Sequence, residues 1–84
     1  MAQQFNPSAQ NIKKRNAVLV FLKGATAPLV LYVKDWQALY NELTQKMVNP
    51  KVELIQKTTE GPIKQVSFFS NQISAVAIQE EQYM

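Results

Sequence analysis

The stretch AVLVFLKGATAPLVLYVKD, residues 17–35, decides the fold. Its two runs rich in valine and leucine, residues 16–23 and 29–34, flank a short loop that begins at Gly24 and ends at Pro28. Short β-rich runs predict strands, and a loop of about five residues predicts an antiparallel hairpin. A strand with one face in water should alternate, yet both runs are apolar at nearly every position. Their sheet therefore needs a cover on both faces.

One amphipathic helix follows the hairpin. Asp35 is a favoured N-cap, and apolar residues recur after it at helical spacing. Pro50 disfavours helical backbone at the residue before it, so we expect a helix over residues 36–48, with Lys46 near its negative end. The apolar residues of this helix are Trp36, Leu39, Tyr40, Leu43 and Met47.

The remainder of the chain reads as three more strands. They cover residues 51–58, 63–70 and 73–80, with turns at Gly61 and at residues 70–72. The order β-β-α-β-β-β predicts an α+β fold, a mostly antiparallel five-stranded sheet with the amphipathic helix on one face. We expect residues 15–84 to form this single small domain.

Residues 1–14 lack periodicity and are rich in Gln, Asn and Ser, which predicts a flexible polar N-terminal tail. Its large apolar residues Phe5 and Ile12 are candidates to dock onto the domain.

The second face of the sheet is the main candidate for a function. A helix is about 10 Å wide and five strands span about 19 Å, so one helix shields only the middle of one face. The sequence leaves three alternatives for shielding the second face: the sheet curls into a partial barrel, the tail folds over it, or another chain binds. The sequence does not determine which alternation faces the helix. The interface candidates are Val18, Val20, Leu22, Val30, Tyr32, Val76 and Ile78.

The sequence contains few of the residues and motifs that catalysis or cofactor binding requires. The 84 residues contain no Cys and no His, which excludes disulfides, thiolate zinc sites and a histidine base. Glu80 and Glu81 are adjacent, so on a strand they face opposite sides and cannot act as a pair. The loop KGATAP, residues 23–28, is not a phosphate-binding loop. We expect no enzyme activity, no cofactor and no metal.

Charge is distributed unevenly along the chain. Every charged side chain up to residue 34 is positive, whereas acids outnumber bases afterwards. Such asymmetry is typical of a solvated tail, but it also occurs in small nucleic-acid-binding proteins. The candidates for this alternative function are Lys13, Lys14, Arg15, Lys23 and Lys34.

A non-enzymatic protein-interaction module is the leading hypothesis. Its partner would be a second copy, as a homodimer, or another protein of a larger assembly. The polar N-terminus has no apolar core of a signal peptide, and no apolar run approaches the ~20 residues that span a bilayer. We therefore expect a cytoplasmic protein with no membrane partner. Phe68 and Phe69 point to opposite faces of a strand, which favours one for the core and one for an interface.

Overall fold

The computed structural model of the chain describes residues 13–83, which form an α+β fold of five strands and one α-helix. The predicted class and the order β-β-α-β-β-β are confirmed. The elements are β1 (Lys13–Leu22), β2 (Leu29–Leu31), α1 (Trp36–Val48), β3 (Leu54–Thr58), β4 (Gln65–Phe69), a 3₁₀ turn (Ser70–Gln72) and β5 (Ile73–Tyr83).

The first strand begins earlier than the sequence suggested. Lys13 and Lys14 were expected in the tail, but both belong to β1, where they pair with Tyr83 and Gln82 of β5. The rest of the predicted tail, including Phe5 and Ile12, lies outside the described residues.

The five strands form two antiparallel sheets rather than one continuous sheet. The larger has the order β2-β1-β5, and the smaller is the β3–β4 hairpin. A single bridge joins them, in which the Glu60 N–H donates to the Tyr32 carbonyl over 2.7 Å. The strand β2 has only three residues, and the helix begins soon after it, at the Asp35 cap. The edge of β2 available to the β3–β4 hairpin is therefore short.

Local signals set the helix as predicted. The Asp35 carboxylate accepts a hydrogen bond from the Ala38 N–H over 3.1 Å, which satisfies one of the free donors of the first turn. At the other end the Asn49 N–H donates to the Lys46 carbonyl, and Asn49 itself has extended backbone, one residue before Pro50. Leu39 and Leu43 are the buried residues of α1.

Register fixes which side chains share a face of the larger sheet. Val18 lies opposite Leu31 of β2 and Ile78 of β5, and directly opposite residues of antiparallel strands point to the same side. The even positions of β1 therefore face α1, which packs against β1 and β5. The buried cluster on this side consists of Val18, Val20, Leu31, Leu39, Leu43, Ile55, Phe68 and Ile73. Ala17, on the opposite side of β1, is also fully buried.

Candidate interaction surfaces

The structure divides the predicted interface residues between two faces. Val18 and Val20 are fully buried beneath α1, so they offer no area to a partner. Leu22 and Val76 are half-buried and pack against the same core. This corrects the expectation for Val18 and Val20, which are inside the monomer, whereas Leu22 and Val76 pack against the core with part of their surface.

Three of the predicted interface residues remain outside the core cluster. Ile78 shares the helix-side face with Val18 but is half-buried and is not part of the core. Val30 and Tyr32 are half-buried as well and lie on the opposite side of the sheet. Among residues 13–83, the surface without a helix is therefore formed by the other alternation.

We define the open face as the apolar part of the larger sheet that points away from α1. Leu19 lies at its centre, opposite Val30 on one side and Ala77 on the other, and Phe21 lies opposite Ala75. Ala75 is exposed and the other four are half-buried. Leu19, Phe21 and Val30 neither belong to the core cluster nor pack against it. An antiparallel sheet normally turns polar residues to water on such a face.

A polar network closes one end of the open face. The Tyr32 hydroxyl donates to Oε1 of Glu81 over 2.8 Å, and Nε of Arg15 donates to the same oxygen over 3.1 Å. The Arg15 guanidinium carbon also lies 4.1 Å from the centroid of the Tyr32 ring, within the range of a cation–π contact. Nε2 of Gln79 donates to the second Glu81 oxygen over 3.0 Å.

The electrostatics of this network follow from its hydrogen bonds. Donation from the Tyr32 hydroxyl, aided by Arg15, holds the pKa of the Glu81 carboxyl below its ordinary value. The same bond to a carboxylate, together with partial burial, raises the pKa of Tyr32. At neutral pH Glu81 is therefore ionised and Tyr32 is protonated, which is the state that both hydrogen bonds require.

The fold places three of the five nucleic-acid candidates side by side and the other two away from them. Arg15 is paired with Glu81, and Lys13 and Lys14 lie beside it on alternating faces of β1. Lys23 follows the other end of the same strand, about 33 Å from Lys13 at ~3.3 Å per residue. Lys34 lies in the connection between β2 and α1.

A cavity of about 410 Å³ lies between the start of β1, the start of α1 and the turn after β3. Arg15, Tyr32, Trp36 and Glu60 contribute to its walls. Its lining includes no Ser, Thr, Cys or His. Trp36 is half-buried here and packs against the core.

Sequence reasoning missed one exposed apolar pair. Leu54 and Phe69 lie directly opposite each other on the outer side of the β3–β4 hairpin, with 52% and 54% of their surface exposed. The alternation around Phe68 and Phe69 predicted that one of the two rings would be outside the core, and Phe69 is that ring, since Phe68 is buried. Leu54 was not recognised because its partner strand was unknown.

Residues 13–83 contain no cluster of three His, Cys, Asp or Glu side chains that could hold a metal ion. In the same part of the chain, the helix is too short and too polar to cross a bilayer. The sequence matches no protein-family model, no curated protein and no solved structure. Function is therefore inferred from the geometry alone.

Proposed function

We propose that this protein is a non-enzymatic interaction module that associates with a second copy of itself through the open face. One observation carries the proposal: in residues 13–83, α1 packs on one side of the larger sheet, while the other side carries Leu19, Phe21 and Val30 outside the core cluster. Removing such apolar surface from water is favourable by ~25 cal/mol per Å². A symmetric twofold contact is the commonest way in which identical chains achieve this.

The size of the open face sets the expected strength. Three strands are about 14 Å wide and its rows extend for about 20 Å, which gives roughly 280 Å² per subunit in projection. A stable interface typically buries about 800 Å² on each partner. Face-to-face packing of two open faces alone should therefore be weak, with a dissociation constant in the micromolar range or above.

The proposal includes a cytoplasmic location and no catalytic step. The absence of cysteine is compatible with a reducing compartment, and the absence of histidine from the sequence removes the commonest general base. A face that works by burial needs neither.

Sedimentation equilibrium over a wide concentration range tests the open face directly. Leu19→Asp places a charge at its centre and should weaken association roughly tenfold or more while the chain stays folded. Thr58→Asp is the matched control, because Thr58 is exposed on the β3–β4 hairpin and should leave association unchanged. A parent protein that stays monomeric at all concentrations, or a Leu19→Asp protein that associates normally, would overturn the proposal.

Val20→Asp provides the complementary control. Val20 is fully buried, so an ionised side chain there should unfold the monomer rather than dissociate a dimer. Circular dichroism separates the two outcomes, since Leu19→Asp should retain the spectrum of the parent.

A further inference from the structure

The outer edge of β5 has no strand partner among the described residues. β5 is the longest strand, with 11 residues, and lies at one side of the sheet order β2-β1-β5. It pairs with β1 along one edge only. Its other edge presents a row of backbone N–H and C=O groups, which makes it a ready template for another strand.

This edge has few of the features that normally prevent pairing, and those it has lie near its ends: Glu80 and Glu81 at one end and an irregularity at the other. Exposed edges are usually blunted by charged side chains, especially lysine, or by proline, a bulge or short length. The segment 73–83 contains no Lys, Pro or Gly, and its irregularity, at Ser74, leaves the register regular from Ala75 onward. By contrast, β2 has three residues, and β4 follows Pro62 and Lys64.

We propose that β5 pairs antiparallel with β5 of a second copy, which gives a continuous six-stranded sheet of order β2-β1-β5-β5-β1-β2. This contact uses a strand edge, whereas the proposed function uses a sheet face, so the two are independent. A twofold axis perpendicular to the sheet relates the copies, since only that axis keeps laterally adjacent strands antiparallel.

The charges of β5 disfavour registers centred near Glu80 and Glu81, and the proposed register has Ile78 on the axis, at the middle of the strand. Glu80 then lies opposite the partner's Val76, and Glu81 lies opposite the partner's Ala75. The two Glu80 residues are four positions apart along the strands, about 13 Å, which exceeds the ~8 Å screening length at physiological salt. A register centred on Glu80 or Glu81 would instead place like charges directly opposite, which is destabilising.

The helices leave room for this pairing. α1 packs on β1 and β5 of its own chain, and the twofold places both helices on the same side of the joined sheet. A helix centred above those strands is ~5 Å from the axis, so the two helices are ~10 Å apart, a distance at which helices pack. The two open faces become neighbours on the other side, which doubles the area available for face-to-face packing.

Single-cysteine variants test this register, because the chain has no cysteine of its own. At position 78 the two Cα atoms would be ~4.5–5.5 Å apart, within the range that a disulfide bridges. Ile78 lies outside the core cluster, so Ile78→Cys should fold. Glu80→Cys is the matched control on the same face, where ~13 Å forbids a bridge. Under mild oxidation we expect a covalent dimer from Ile78→Cys and almost none from Glu80→Cys.

Two outcomes would overturn the edge pairing. One is an equal yield of covalent dimer from the two cysteine variants, which indicates random collision, and the other is no dimer from either. The double variant Leu19→Asp/Ile78→Cys distinguishes this contact from the open face. It should cross-link as well as Ile78→Cys alone, and loss of the cross-link would contradict an independent edge contact.

Discussion

Tyr32 and Glu81, which are 49 residues apart in sequence, are joined by a 2.8 Å hydrogen bond between the tyrosine hydroxyl and Oε1 of the carboxylate. Tyr32 follows β2, Glu81 lies in β5, and Arg15 of the strand between them contacts both. This cluster therefore ties all three strands of the larger sheet together at the end where β2 stops and only β1 and β5 continue.

Removing the Tyr32 hydroxyl should loosen that end of the sheet. Tyr32→Phe keeps the ring that stacks under Arg15 but deletes the donor to Glu81, so the pKa of Glu81 should rise toward its ordinary value. We expect a lower melting temperature at neutral pH and a smaller difference from the parent in acid, where Glu81 is protonated. Thermal melts of both proteins at several pH values measure this, and equal melting temperatures at neutral pH would contradict it.

Stability should fall in acid through two carboxyl groups. The pKa of Glu53, bound by the Lys46 ammonium, and that of Glu81 both lie below 4.5 in the folded chain, whereas the unfolded chain has the ordinary value of 4.5. Between those pKa values the unfolded chain binds more protons, so stability is lost as pH falls below about 4.5 toward the folded pKa values. Denaturant midpoints across this range measure the loss, and Glu53→Gln should make the dependence shallower.

A pair of glycine substitutions isolates the contact beneath Tyr32. Gly61 has φ of +83°, and a Cβ there would lie 2.6 Å from Cδ2 of the Tyr32 ring. Gly24 has a similar φ of +78° but nothing within 4 Å of its Cβ position. Gly24→Ala should cost ~1–2 kcal/mol for the left-handed backbone alone. Gly61→Ala should reduce the free energy of unfolding by clearly more in the same chemical denaturation experiment. Equal losses would show that the Tyr32 ring moves away from the new Cβ without cost.

The helix was predictable because its signals are local. Asp35, the spacing of Leu39 and Leu43, and Pro50 all act within a few residues, and they placed the helix at residues 36–48, where the structure has it. The order of strands and helix along the chain followed from similar local patterns. The division into two sheets did not, since it depends on β2 ending after Leu31 and on one bridge between Tyr32 and Glu60.

The choice of open face could not be predicted for a different reason. Val18 and Val20 on one side of β1, and Leu19 and Phe21 on the other, are equally apolar, so burial energy alone does not distinguish them. The position of α1 decides, and that is a tertiary property. Arg15 illustrates the same limit: it reads as part of a basic cluster, yet its partner Glu81 is 66 residues away.

The Asp35 cap can be tested with a conservative control. Asp35→Ala removes the acceptor for the Ala38 N–H and should reduce the free energy of unfolding by ~1 kcal/mol. Asp35→Asn keeps a side-chain oxygen at the same position and should retain most of the stability. Denaturant unfolding of the three proteins measures the differences. If Asp35→Asn loses as much as Asp35→Ala, the charge rather than the cap hydrogen bond is responsible.

Two neighbouring phenylalanines should respond very differently to truncation. Phe68 is 7% exposed and belongs to the core, so Phe68→Ala should cost ~3–5 kcal/mol, the sum of lost burial and a cavity. Phe69 is 54% exposed and lies opposite Leu54, so Phe69→Ala should cost below ~1 kcal/mol. Both variants make the same change in the same strand. The difference between their losses of unfolding free energy therefore measures which side of β4 faces the core. Similar losses of unfolding free energy would mean that β4 is turned so that both rings are buried, and the exposed Leu54–Phe69 pair would not exist in solution.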